Sequence, residues 1–310
     1  MIVAVVDCGT NTFHLLIASD EQPQKILYKK NLAVKLGQGG IAGHIITDEA
    51  FKRGIEALKE FSQVIDKIRP DKVVAYGTAA LRKAQNGNDF ILEAKSKTGI
   101  EIQLIDGLKE AELIYHGVRQ AMPLTEKKIL IMDIGGGSVE FIIANRDTIF
   151  YRHSFELGAA LLLDKFKPSD PITEEETQQI KEYILKETTP LFDELNKHPE
   201  MDTLIGSAGS FETFAEIISE KYDHHPLEYK EKFYDINLNR YEQVHELLLQ
   251  STTAERKRMK GVVDMRVDMI VIASILLHCV IHTAPIKNIK LSTYALKEGM
   301  LYFAFNKNLK

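Results

Sequence analysis

Two short stretches of this 310-residue chain join a carboxylate to a turn of glycine and hydroxyl residues. The first is Asp7-Cys8-Gly9-Thr10-Asn11-Thr12; the second is Asp133-Ile134-Gly135-Gly136-Gly137-Ser138. Backbone N–H groups converging in such a turn make a nest for phosphate oxygens, and glycine removes the Cβ that would block a close approach. A carboxylate beside that nest repels an anion unless it holds a divalent cation that bridges to the anion's oxygens. One such turn is equally well a tight hairpin. Two, with aspartate in register, call for metal-assisted phosphate chemistry.

The register extends beyond the turns. Asp7–Ala18 matches Asp133–Ala144 at one constant offset, with Asp, Gly, Ile and Ala identical and Thr12 answering Ser138. A duplication of this kind implies two similar domains facing each other, divided near Pro123. The surrounding pattern supports an α/β class. Apolar runs Ile2–Val6 and Phe13–Ala18 read as a hairpin, and Lys128–Met132 with Val139–Ala144 as a second. Phe51, Ile55, Leu58, Phe61, Ile65 and Ile68 recur at helical spacing. Val73–Ala75 and Glu101–Ile105 read as strands, Gly77–Asn88 as a loop, and Glu110–Ala121 as a helix. In the second half, Thr173-x-x-Glu176 is a capping box. Thr203–Ile205 and Ile289–Leu291 read as strands, and Asp264–His282 and Ala295–Phe305 as helices.

Composition narrows the function classes. Net charge is −5, with 45% apolar and 27% charged residues, which fits a globular protein with no dedicated nucleic-acid surface. Two cysteines, Cys8 and Cys279, give no disulfide framework and suit a reducing cytoplasm. Met1–Asp7 lacks the basic region of a signal peptide. The apolar run Met269–Ile281 is too short for a bilayer and reads as a buried helix. The expectation is a cytoplasmic protein without a membrane partner.

Several further motifs stand between and after the turns: Gly77-Thr78-Ala79-Ala80-Leu81-Arg82, Ile105-Asp106-Gly107-Leu108-Lys109-Glu110-Ala111, Gly117-Val118, Leu157-Gly158-Ala159, Gly206-Ser207-Ala208-Gly209, Arg266-Val267-Asp268 and Ser292–Gly299. In this order, over essentially the whole chain, they resemble the exopolyphosphatase / guanosine pentaphosphate phosphohydrolase (Ppx/GppA) family of the actin–hexokinase–Hsp70 superfold. The resemblance implies two ribonuclease H-like (actin-like ATPase) domains facing each other across a cleft, residues 1–122 plus 296–310 and residues 123–295. It implies release of terminal phosphate from polyphosphate or guanosine pentaphosphate (pppGpp), with a homodimer as the assembly.

The same resemblance assigns roles. Glu110 activates the water, and Arg82 clamps phosphate oxygens with its planar fork. Thr10, Asn11, Thr12, Gly135, Gly136, Gly137 and Ser138 bind phosphate, with Gly206, Ser207 and Gly209 at a helix start as a further anion site. Asp7, Asp133 and Glu140 hold Mg2+ or another divalent cation. His224-His225 lacks spaced companions and reads as a solvated loop. Lys109, Leu161, Ala295 and Lys297 depart from the family pattern, and the chain ends at Lys310 without the C-terminal domains of long members, so a long polyanion would meet fewer cations. Two rival readings are a kinase of the same superfold and a non-catalytic alarmone sensor.

Overall fold

The residues before the first Gly-rich turn, Ile2–Cys8, form strand β1, and those after it, Thr12–Ser19, form β2. The two strands are buried almost throughout, as continuous apolar runs require of a sheet covered on both faces. They pair antiparallel with Asp7 opposite His14. The computed structural model describes residues 1–21 and 25–306, so the end of the expected 296–310 segment, 307–310, lies outside the described residues. Strand β3 (Lys25–Ala33) pairs with β2, while β4 (Lys72–Gly77) and β5 (Ile102–Leu104) continue the sheet parallel to β1. The order is β3-β2-β1-β4-β5.

Helices cover this sheet. Asp48–Ile68 starts where the Thr47 hydroxyl accepts the Ala50 N–H, and it packs on Gly87–Thr98. Gly54 allows that approach, because a Cβ there would lie 2.6 Å from the Phe90 ring. The residues 79–83, expected inside a loop, form the short helix Ala79–Lys83. The helix expected from Glu110 starts earlier and spans Gly107–Ala121, because the Asp106 carboxylate accepts the Lys109 N–H at 2.7 Å and caps the first turn.

The second Gly-rich turn joins β6 (Ile129–Ile134) to β7 (Val139–Ala144), again antiparallel, with Asp133 opposite Glu140. β8 (Ile149–Phe155) extends β7; β9 (Thr203–Ser207) runs parallel to β6, and β11 (Asn288–Ser292) runs parallel to β9, with β10 (Phe233–Ile236) at the edge. The order β10-β11-β9-β6-β7-β8 contains the arrangement of the first sheet, with β11 standing where β5 stands. The helix expected over Asp264–His282 is shorter. Residues 264–269 form turns in which the Arg266 carbonyl accepts from Met269 and Ile270, and the helix proper is Ile270–Thr283.

The chain thus carries two ribonuclease H-like units of the actin-like ATPase fold. The first is Met1–Gly117 with the chain from Ala295 onward, and the second is Val118–Tyr294. Each has its own apolar core, centred on Phe13, Phe61 and Phe90 in the first and on Phe141, Phe211, Phe214 and the helix Ile270–Thr283 in the second. No described helix is long and apolar enough to cross a membrane.

Candidate active site

Both turns close in the same way. The Gly9 N–H donates to the Thr12 carbonyl at 3.2 Å, and the Gly135 N–H to the Ser138 carbonyl at 3.0 Å. A Cβ at these glycines would meet the same carbonyl oxygens at 2.8 and 3.0 Å. Each glycine is therefore set by hairpin closure, and the Gly135 N–H faces Ser138 rather than an outside anion. The carbonyls of the turns are also held. Lys35 N–H donates to Asn11 O at 2.8 Å and Gly37 N–H to Thr10 O at 3.0 Å, while Ala159 and Ala160 N–H reach Gly135 O and Gly136 O at 2.9 Å each. Leu161, a departure from the family pattern, adds its N–H to Gly136 O at 3.0 Å. These contacts account for Leu157-Gly158-Ala159: a Cβ on Gly158 would lie 2.3 Å from the Gly136 backbone. With these carbonyls bonded elsewhere, the backbone of each turn keeps the nest conformation in which N–H groups can converge on an anion. Thr10, Asn11, Thr12 and Ser138 are all buried here, and the Thr10 hydroxyl accepts the Ala80 N–H at the start of helix Ala79–Lys83.

In the second unit the register places four polar side chains in one row across the sheet. Asp133 lies opposite both Ser207 and Glu140, and Glu140 opposite Ser154. Directly paired residues project to the same face. The Ser207 hydroxyl donates to Asp133 Oδ2 at 2.6 Å, and the Ser154 hydroxyl to Glu140 Oε1 at 2.6 Å. Ser207 is fully buried, so its hydroxyl orients a carboxylate instead of meeting phosphate as the sequence suggested. Two carboxylates buried side by side repel unless a cation lies beside them. Their oxygen-only donor set fits a hard divalent ion such as Mg2+.

A protein cation also lies close. Arg266 is half-buried; burial pushes its pKa down, while the charges of Glu212 and Asp133 oppose that shift. Gly209 makes room for it, since a Cβ there would lie 2.0 Å from the guanidinium. Gly206 serves packing: its Cβ would lie 1.9 Å from the Phe211 ring. Ala208 between them has φ 67°, a left-handed conformation that costs about 1–2 kcal/mol for a non-glycine residue. The motif Arg266-Val267-Asp268 marked this position in the sequence, but the apolar run that follows masked the turn that aims the arginine.

In the first unit, Arg82 and Glu110 meet. Arg82 sits at the end of helix Ala79–Lys83, and its Nη1 donates to the Ile105 carbonyl at 2.7 Å and to Glu110 Oε2 at 3.2 Å. Glu110 is buried in the first turn of helix Gly107–Ala121, where the Arg82 guanidinium meets it at 3.2 Å. The helix is locked in place by close backbone packing on Leu296–Phe305. A Cβ on Gly299 would lie 1.8 Å from the Leu113 carbonyl oxygen, and one on Gly117 2.0 Å from that of Ala295. At Ala295 and Lys297, two further departures, the backbone N–H and the ammonium both go to Glu298, at 2.8 and 3.3 Å. Asp7 is buried at the end of β1. Burial and the Asp7 charge push the Cys8 thiol well up, so it is no nucleophile. His224 and His225 are exposed, and His225 Nδ1 lies 2.9 Å from the Pro226 carbonyl, as expected of a loop.

Comparison with known proteins follows the same lines. The sequence profile of the Ppx/GppA phosphatase family matches residues 16–308, and the chain belongs to that family. A putative exopolyphosphatase of Haemophilus influenzae is 28% identical over 97% of this chain and 90% of its own length. A bifunctional 3-dehydroquinate synthase/phosphatase of Fusobacterium nucleatum is 31% identical over 88% of this chain, which spans 42% of that protein. The crystal structure of an exopolyphosphatase from Cytophaga hutchinsonii superposes with a TM-score of 0.95 at 37% identity, covering 99% of this chain and 98% of the other.

Proposed function

We propose that this member of the Ppx/GppA phosphatases releases the terminal phosphate of inorganic polyphosphate, with Glu110 as the base that activates water. The observation that carries the reading is the Arg82–Glu110 pair at 3.2 Å, with Glu110 buried and Arg82 half-buried. A buried carboxylate is costly unless paired or functional, and an arginine with several N–H donors can hold Glu110 with one and phosphate oxygens with others. In the reaction, water attacks the terminal phosphorus as its proton passes to a Glu110 oxygen. The phosphoanhydride bond breaks, and the shortened chain leaves with the bridging oxygen. Little covalent chemistry falls to the protein in phosphoryl transfer, so positioning and fixed charge carry the rate.

In the first unit phosphate oxygens would lie against the backbone of Thr10–Thr12 with Arg82 as the cation, and in the second against the backbone of Gly136–Ser138 with Arg266 as the cation. Asp133, with Glu140 beside it, would hold Mg2+ or a similar ion in the second unit, which neutralises charge on phosphate oxygens when bound, and Asp7 is the carboxylate the first unit offers for the same role. The names of the relatives in Haemophilus influenzae and Cytophaga hutchinsonii favour polyphosphate; pppGpp ends in the same phosphoanhydride and is the second substrate to try. The experiment is phosphate release from tripolyphosphate, long-chain polyphosphate, pppGpp and ATP, each with Mg2+ and with excess EDTA. Release from a polyphosphate that stops in EDTA and returns with Mg2+ is expected. Full turnover in EDTA would remove the metal role, and hydrolysis of ATP alone would return the reading to a nucleotide-dependent enzyme.

A further inference from the structure

Away from these residues, the second unit gathers three imidazoles and a carboxylate on two packed helices. His278 and His282 stand one turn apart on helix Ile270–Thr283, with ring centroids 4.1 Å apart. Glu242 comes from helix Leu238–Gln250; its Oε1 lies 3.2 Å from His282 Nε2 and its Oε2 3.6 Å from His278 Nε2. One ligand atom from each residue can be chosen so that all lie within 4.8 Å of one another. We infer that Glu242, His278 and His282 form a binding site for a transition-metal ion of the zinc type, distinct from the oxygen-only set at Asp133.

Four observations support this. Histidines at i and i+4 on one helical face are the spacing with which helices present two imidazoles to one metal. Zinc bonds of 2.0–2.1 Å at tetrahedral angles set ligand atoms about 3.3 Å apart; each imidazole Nε2 already lies near that distance from a Glu242 oxygen, 3.2 Å to Oε1 and 3.6 Å to Oε2, and one ligand atom per residue can be chosen within 4.8 Å of the others. The helices are already docked by neighbours of the ligands: Tyr241 donates its hydroxyl to the Ser274 carbonyl at 2.9 Å, and His245 Nδ1 lies 2.6 Å from the Ser274 hydroxyl. The set is therefore preorganised, which lowers the cost of binding. Finally, His282 is 57% exposed, so an ion has a way in, and three protein ligands leave a fourth position for water.

The chemistry selects the metal. Two imidazoles with one carboxylate suit zinc, copper, nickel or iron, whereas Mg2+ prefers an all-oxygen shell. The Glu242 carboxylate, 3.6 Å from His278, supplies the negative charge that a bound cation needs. Without metal, the same geometry would be a carboxylate accepting two imidazole N–H groups. The two arrangements differ in what they do with added metal.

The test is titration of the metal-free full chain with Zn2+ and with Co2+, in excess Mg2+ throughout. The readouts are calorimetric stoichiometry, visible Co2+ absorption and melting temperature. Wild type should take up one zinc equivalent, give the intense absorption of four-coordinate Co2+, and melt higher with zinc. His282→Ala and Glu242→Gln should each lose that absorption and bind zinc at least about tenfold more weakly. Both should leave Mg2+-dependent phosphate release in place, since neither belongs to the phosphatase residues. His282 is exposed, so its variant should melt normally without zinc. Wild type that binds no zinc, or zinc binding and Co2+ absorption unchanged in both variants, would overturn the site.

Discussion

The two units place comparable rows of side chains on two versions of one sheet, and the rows differ in kind. In the first, Asp7 lies opposite Tyr76 and His14, and His14 opposite Asn31, its Nδ1 2.7 Å from the Asn31 Oδ1. In the second the corresponding positions are Ser207, Asp133, Glu140 and Ser154. The aspartate and the turn glycine are common to both, because the hairpin needs the glycine and the strand end is where a carboxylate meets the nest. The residue opposite the aspartate is not common: histidine in one, glutamate in the other. The first unit instead gains its second carboxylate from a helix, as Glu110 beside Arg82. Duplication supplied the same frame twice, and the side chains then divided: a glutamate held by a guanidinium, the proposed base, in one unit, paired carboxylates suited to a cation in the other.

The largest effect should come from the base. Glu110→Gln keeps the shape and can still orient water but cannot take its proton, so kcat should fall by about 10²–10⁴-fold with KM little changed. Arg82→Lys should differ by raising KM as well, since lysine cannot bond Glu110 and a phosphate in one plane. Steady-state release from tripolyphosphate separates the two. If Glu110→Gln retains wild-type kcat, the first unit does not carry the base and the division of labour fails.

A smaller effect should sharpen the second half of the comparison. Ser207→Ala removes the hydroxyl that orients Asp133, which should weaken the apparent Mg2+ affinity of turnover by roughly 10–100-fold and leave kcat at saturating Mg2+ nearly intact. His14→Ala, at the position that Glu140 holds in the other row, should leave the Mg2+ dependence where it was. Equal shifts in both variants would mean that the rows are not specialised.

Much of this frame was legible in the sequence because it rests on local rules. The repeated turns are visible since a Cβ at Gly9 or Gly135 collides with the chain's own carbonyl, and the capping box at Thr173–Glu176 forms as read. What escaped was set by partners distant in sequence. β3 runs through Lys25–Ala33 with most side chains exposed or half-buried, an edge strand whose Lys-rich face carries no apolar signal. Ser154 orients Glu140 only because β8 pairs with β7, and nothing in a lone serine announces that. Arg266 reaches the Asp133 neighbourhood through a turn just ahead of the run Ile270–Ile281, where periodicity alone extends the helix too far.

The smallest expected effect concerns Lys109, next to the proposed base and at a position where the family resemblance leads one to expect a glutamate. Its ammonium lies 4.3 Å from the centre of the Phe303 ring and 3.4 Å from a Glu112 oxygen, so both of its contacts are made away from Arg82. At half exposure, a cation on an aromatic face contributes about 0.5–1 kcal/mol, and the ion pair with Glu112 a few tenths more before screening. Lys109→Ala should therefore lower stability by about 1 kcal/mol, visible as a small drop in melting temperature, with kcat and KM unchanged. The capping bond would survive, because Asp106 accepts from the Lys109 backbone and not from its side chain. A marked loss of kcat at an unchanged melting temperature would mean that the charge at position 109 acts on Glu110 directly. In that event the departure from the family pattern would be part of the chemistry, and the first unit's specialisation would extend one residue beyond the Arg82–Glu110 pair.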